Sequence, residues 1–168
     1  GHWQYGVDHS LAAIQALDDG DTIVETFTVG AHDGSDTETI TITIDGAADT
    51  AVITGDTTDN VFEGDAGDAI TASGTLAVSD SDASDTPVFT AVTNATTNDV
   101  GGTSYGTFSI DAAGKWTYDL DETNATVQAL DDDSDTLSDS YTFAATDTGG
   151  DQVTETVTVT IERADRKS

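Results

Sequence analysis

Residues 114–131 read GKWTYDLDETNATVQALD, and residues 1–18 read GHWQYGVDHSLAAIQALD. The two stretches share Gly, Trp, Tyr and a Gln-Ala-Leu-Asp ending at a constant offset, so the chain contains an internal repeat. The match continues with small changes in length. DTIVETFTVGAHD (21–33) corresponds to DTLSDSYTFAATD (135–147), and TETITITI (37–44) corresponds to TETVTVTI (154–161). One complete repeat therefore occupies 46–162, residues 1–45 are the back half of a preceding copy, and 163–168 form a tail.

Within the repeat, apolar residues alternate with Thr, Ser and Asp, the period of a half-buried strand. Trp116, Tyr118 and Leu120 fall on one face, as do Tyr141, Phe143 and Ala145, and Val157, Val159 and Ile161. The first copy offers Trp3, Tyr5 and Val7, then Phe27, Val29 and Ala31, then Ile40, Ile42 and Ile44. The front half adds strands at 51–54 with 61–63, 70–79, 88–93 and 105–111, about seven per repeat. Short strands between Gly, Asp, Asn and Ser clusters predict an all-β sandwich. Leu11, Ile14 and Leu17, like Val127 and Leu130, are spaced by three and predict a single helical turn.

Thirty-three acidic residues face four basic ones, for a formal charge of −29 over 168 residues. The complete repeat sets 23 acids against Lys115 alone, and self-repulsion on that scale opposes compaction unless cations offset it. Nucleic acid and anionic membranes need a basic surface and are disfavoured as partners. A generally acidic surface explains the charge but not the gathering of acids in loops. There is no Cys or Met, and no apolar run approaches a membrane span.

Calcium takes six to eight oxygen ligands, a demand met by closely spaced Asp on irregular backbone. Asp80, Asp82 and Asp85 follow a strand; Glu63 and Asp65 end an early one; Asp45 and Asp49 flank the repeat junction; Asp33 and Asp147 end equivalent strands, with Asp151 close behind. These ten residues are the metal-ligand candidates, led by Asp80 and Asp82 with Glu63 or Asp65. The DDGD run (18–21) and residues 131–135 are read as solvated charge. A solvated Asx turn competes with the metal reading at every one of these Asp. No EF-hand loop or glycine-rich calcium nonapeptide is present.

Trp3 and Trp116 occupy equivalent repeat positions, so both are expected in the core and not on a sugar-stacking platform. His2, His9 and His32 all precede residue 46, which excludes a histidine-based triad or metal site intrinsic to the repeat. The few aromatics are claimed by strand faces, leaving no platform for a glycosidase cleft, and an enzyme is not expected.

The segments GTFSIDAAGKWTY (106–118), SLAAIQALDDGDT (10–22), YTFAATD (141–147) and the junction IDGAADTAVITG (44–55) resemble the VCBS repeat, a bacterial immunoglobulin-like or cadherin-like module found in tandem in large surface and biofilm proteins. The resemblance spans nearly the whole chain and departs at IERADRKS (161–168). It implies a secreted, extracellular spacer of an adhesin, rigidified by calcium, whose partners are neighbouring repeats. The alternative is a calcium-dependent module that grips a carbohydrate or protein.

The junction Asp45-Gly46-Ala47-Ala48-Asp49 is expected to be short but hinged at Gly46. Residues 1–45 are expected to supply three strands, beginning at Trp3, Thr22 and Thr37, as a lobe separate from 46–162. Its bare apolar side calls for a cover, such as a second chain in a homo-oligomer.

Overall fold

The computed structural model describes residues 2–64, 69–97, 102–131 and 135–163. The chain divides into two compact units, one formed by Gly1–Thr50 with Asp80–Asp85 and the other by Ala51–Ser79 with Thr86–Ser168. Residues 46–50 and 80–85, which the repeat boundary assigns to the second copy, thus belong with the first.

In the first unit a single helical turn, α1 (Ala12–Gln15), precedes strands β1 (Thr22–Gly30) and β2 (Thr37–Asp45). The two strands pair antiparallel with Ile23 opposite Ile44, Glu25 opposite Ile42 and Phe27 opposite Ile40. Directly opposed residues share a face, so one side of this ribbon is apolar apart from its acids and the other is mainly Thr.

The expected strand at Trp3 does not form, and Trp3 is 57% exposed where a core position was anticipated. The reason lies in the second copy. There the equivalent strand is hydrogen-bonded on both sides by strands from the front half of the repeat, and among the described residues no strand pairs with residues 2–7.

The second unit is an all-β sandwich. Its strands are β3 (Val52–Gly55), β4 (Thr58–Phe62), β5 (Thr71–Ser79), β6 (Val88–Phe89), β7 (Val92–Ala95), β8 (Gly106–Ile110), β9 (Lys115–Leu120), β10 (Thr136–Thr146) and β11 (Gln152–Glu162). One sheet has the order β4-β11-β10-β6 and the other β3-β5-β9-β8-β7. Among the described residues nine strands stand where about seven are expected, because 51–63 and 88–93 each break into two strands that serve opposite sheets. Such crossings let a short segment close both edges of a sandwich. The second copy's counterpart of α1 is a run of turns with one helical hydrogen bond, from Gln128 N–H to the Asn124 carbonyl.

The alternating apolar set fills the space between the sheets. Leu76, Phe108, Trp116, Tyr118, Phe143, Val157, Val159 and Ile161 are fully buried. Phe108 stacks on Tyr118 at 4.7 Å and meets Phe143 edge-on at 6.3 Å. Alternation also carries Asp139 inward, two residues before Tyr141 and on the same side of β10. It is 2% exposed, and its Oδ2 accepts from Tyr105 N–H (2.8 Å), Gly106 N–H (3.1 Å) and the Tyr118 hydroxyl (3.0 Å). Burial and the Asp139 charge push the Tyr118 hydroxyl pKa far up, so it remains a donor.

Gly46 is not a free hinge. Its N–H donates to the Asp21 carbonyl at 2.9 Å, Ala47 N–H to the Leu17 carbonyl at 3.3 Å, and a Cβ at position 46 would collide with the Asp18 carbonyl oxygen. Glycine is needed here for close backbone approach. Among the described residues no helix is long and apolar enough to cross a membrane.

Candidate metal centre

Two loops of the first unit meet at a cluster of carboxylates. Asp18 leaves α1 at the start of the DDGD run, while Asp82 and Asp85 belong to the loop that follows β5. One carboxylate oxygen from each of Asp18, Asp82 and Asp85 lies within 4.8 Å of the others. A backbone bond joins the loops, from Ala83 N–H to the Ala16 carbonyl at 3.4 Å, and within the second loop Asp85 N–H reaches the Asp82 carbonyl at 3.2 Å. Ser84 Oγ donates to Asp18 Oδ2 at 2.8 Å.

The alternate spacing of Asp80 and Asp82 turns both inward. Asp82 N–H donates to Asp80 Oδ1 at 2.9 Å, and Asp49 N–H donates to Asp82 Oδ2 at 2.6 Å. The remaining oxygen of each, Asp80 Oδ2 and Asp82 Oδ1, is buried without a hydrogen-bond partner. Asp82 as a residue is only 2% exposed. A buried carboxylate oxygen with no donor costs free energy, and a solvated Asx turn would not leave one. The Asp49 N–H bond lowers the Asp82 pKa, but burial and the charges of Asp49, Asp18 and Asp80 outweigh it and the net shift is upward.

An all-carboxylate set suits a hard, oxygen-seeking divalent cation, and the absence of sulfur and imidazole disfavours zinc or copper. Asp18, Asp82 and Asp85 would hold such an ion, with the free Asp80 oxygen beside them. A dication there would supply counter-charge to these carboxylates.

The other sequence candidates lie elsewhere. Asp33 caps the β1–β2 turn, accepting Ser35 N–H (3.0 Å) and Oγ (2.6 Å), which together draw its pKa down. Asp147 does the same between β10 and β11, accepting Gly150 N–H (2.7 Å) and Asp151 N–H (2.8 Å). Asp33 thus makes an Asx turn, the reading that competes with metal binding, whereas Asp147 closes its turn through N–H groups three and four residues on. Asp45 ends β2 and lines a groove of about 230 Å³ with Ile14, Leu17 and Asp49. Asp49 reaches Asp82 through its backbone N–H. Glu63 is in the second unit, 2% exposed, where Gly64 N–H donates to the buried Glu122 at 3.0 Å. Asp80 and Asp82 belong to the first unit and Glu63 to the second, and Asp65 lies outside the described residues.

The DDGD run reads as solvated charge, yet its Asp18 joins the carboxylate cluster. No local signal separates it from Asp19; only the long-range approach of residues 82–85 does. No family model matches the chain, and no curated protein is significantly similar to it.

Proposed function

We propose that this chain is a calcium-stabilised spacer repeat of a bacterial surface adhesin or biofilm protein, of the VCBS kind, working outside the cell and not as an enzyme. One observation carries the calcium part: Asp18, Asp82 and Asp85 converge within 4.8 Å, and Asp82 and its neighbour Asp80 each hold a buried carboxylate oxygen with no donor. The ligands would come from both copies of the repeat, Asp18 from the first and Asp82 and Asp85 from the second, so an ion would tie sequence neighbours together. That suits a role in which the partners are adjoining repeats and mechanical continuity is the product.

Calorimetric titration with calcium, followed in parallel by thermal melting, tests the site. Saturable binding that is lost in Asp82→Asn supports it; a melting curve unchanged between calcium and excess chelator at low salt sinks it. The second reading, a calcium-dependent carbohydrate- or protein-binding module, is favoured by the exposed ring of Trp3. A glycan array run with and without calcium separates the two, because a spacer gives no specific hit.

A further inference from the structure

The first unit presents a groove of about 330 Å³ lined by Trp3, Tyr5, Glu25, Phe27, Ile40 and Ile42. Phe27 is 66% exposed and Trp3 57%, an unusual state for two large aromatics on one apolar sheet face. The second copy shows what each of these positions looks like when covered. Trp116, Tyr118, Val157 and Val159, the equivalents of Trp3, Tyr5, Ile40 and Ile42, are fully buried, and the residues that enclose them include Leu76, Phe108 and Ile110 of the front half.

The correspondence extends to hydrogen bonding. β1 and β2 keep the register of β10 and β11: Glu25 lies opposite Ile42 as Asp139 lies opposite Val159, and Phe27 opposite Ile40 as Tyr141 opposite Val157. The Tyr5 hydroxyl donates to Glu25 Oε2 at 2.9 Å, as Tyr118 donates to Asp139. In the second copy that acid also takes the N–H groups of Tyr105 and Gly106, and the indole N–H of Trp116 donates to the Asp56 carbonyl at 2.8 Å. All three of these partners come from the front half.

We infer that the Trp3–Glu25–Phe27 face is a docking surface for one kind of partner, a front-half segment of the 46–113 type. The partner must bring apolar strands equivalent to β5 and β8, two backbone N–H groups for Glu25 and a carbonyl for the Trp3 indole. It must also carry glycine at two positions. At Gly74 a Cβ would lie 2.6 Å from the Trp116 ring, and at Gly106 it would lie 2.6 Å from the Tyr118 ring, so any larger residue there unseats the aromatic. A second copy of the chain docked face to face offers none of these donors and brings another −29 charges.

The experiment extends the full chain at its N-terminus with a second copy of residues 46–113, joined to Gly1 as Ala113 is joined to Gly114. Acrylamide quenching of tryptophan emission is the readout, in chelator and in calcium alike, so the result stands apart from the metal site. In the unextended chain one of the two tryptophans, Trp3, is quenched; the extension should protect both. Valine at the added segment's equivalents of Gly74 and Gly106 should restore quenching, while the original repeat stays folded as an internal standard. Three results would overturn the inference: Trp3 still quenched after extension, protection that survives both valines, or Trp3 already protected in the unextended chain through dimerisation or by a glycan.

Discussion

Asp82 is a carboxylate surrounded by carboxylates, and its titration should reveal what it is for. Its folded pKa lies above the ordinary 3.8, so without a cation the folded chain holds this proton more tightly than the unfolded chain. In chelator the penalty is full at neutral pH and is relieved as pH falls through the raised value toward 3.8. Thermal melts in chelator should therefore show Asp82 opposing stability as pH rises through that window. With calcium bound the sign reverses, because protons then compete with the ion. Asp82→Asn should abolish the calcium-dependent rise in Tm and flatten the chelator pH dependence. Asp49→Ala should keep the calcium-dependent rise in Tm, since Asp49 contacts Asp82 through its backbone N–H, which alanine retains, and should only weaken the chelator pH dependence by removing one of the charges that raise the Asp82 pKa.

Among the elements, β8, β9 and β10 meet at Asp139. Removing its carboxylate leaves Tyr105 N–H, Gly106 N–H and the Tyr118 hydroxyl without an acceptor in a dry core. Asp139→Ala should destabilise the sandwich by about 2–5 kcal/mol in urea melts, with Asp139→Asn milder because one acceptor oxygen stays. The close glycine contacts make a second prediction at this scale. Gly74→Val in the original repeat should cost about 1–3 kcal/mol or more, as overpacking does, and should shift Trp116 emission to the red. If emission and stability are both unchanged, the indole is not seated against residue 74. Alternation made the strand faces of β9, β10 and β11 legible beforehand. It also placed Asp139 inward, yet an acid on an apolar face attracts no notice until its three donors are seen.

For the whole molecule the governing fact is −29 of formal charge on 168 residues. Each bound dication offsets two of those charges and favours only the folded state, so saturating calcium should raise Tm by about ten degrees or more over chelator. Sodium chloride at matched ionic strength is the control. Full recovery of stability by salt would assign the effect to screening and not to a site. The all-β class, the repeat, the strand faces and the acidic loops were determined by the sequence itself, because alternation and repetition are local patterns that survive without coordinates. Which acids converge, why Trp3 is bare while Trp116 is buried, and why Gly46 is locked were decided only by the tertiary structure. Similar local sequence meets different neighbours in the two copies: residues 80–85 come to Asp18 from more than sixty positions away, and β5 and β8 flank the strand of Trp116 while Trp3 stays exposed. Long-range pairing leaves no periodic trace in the segments it joins.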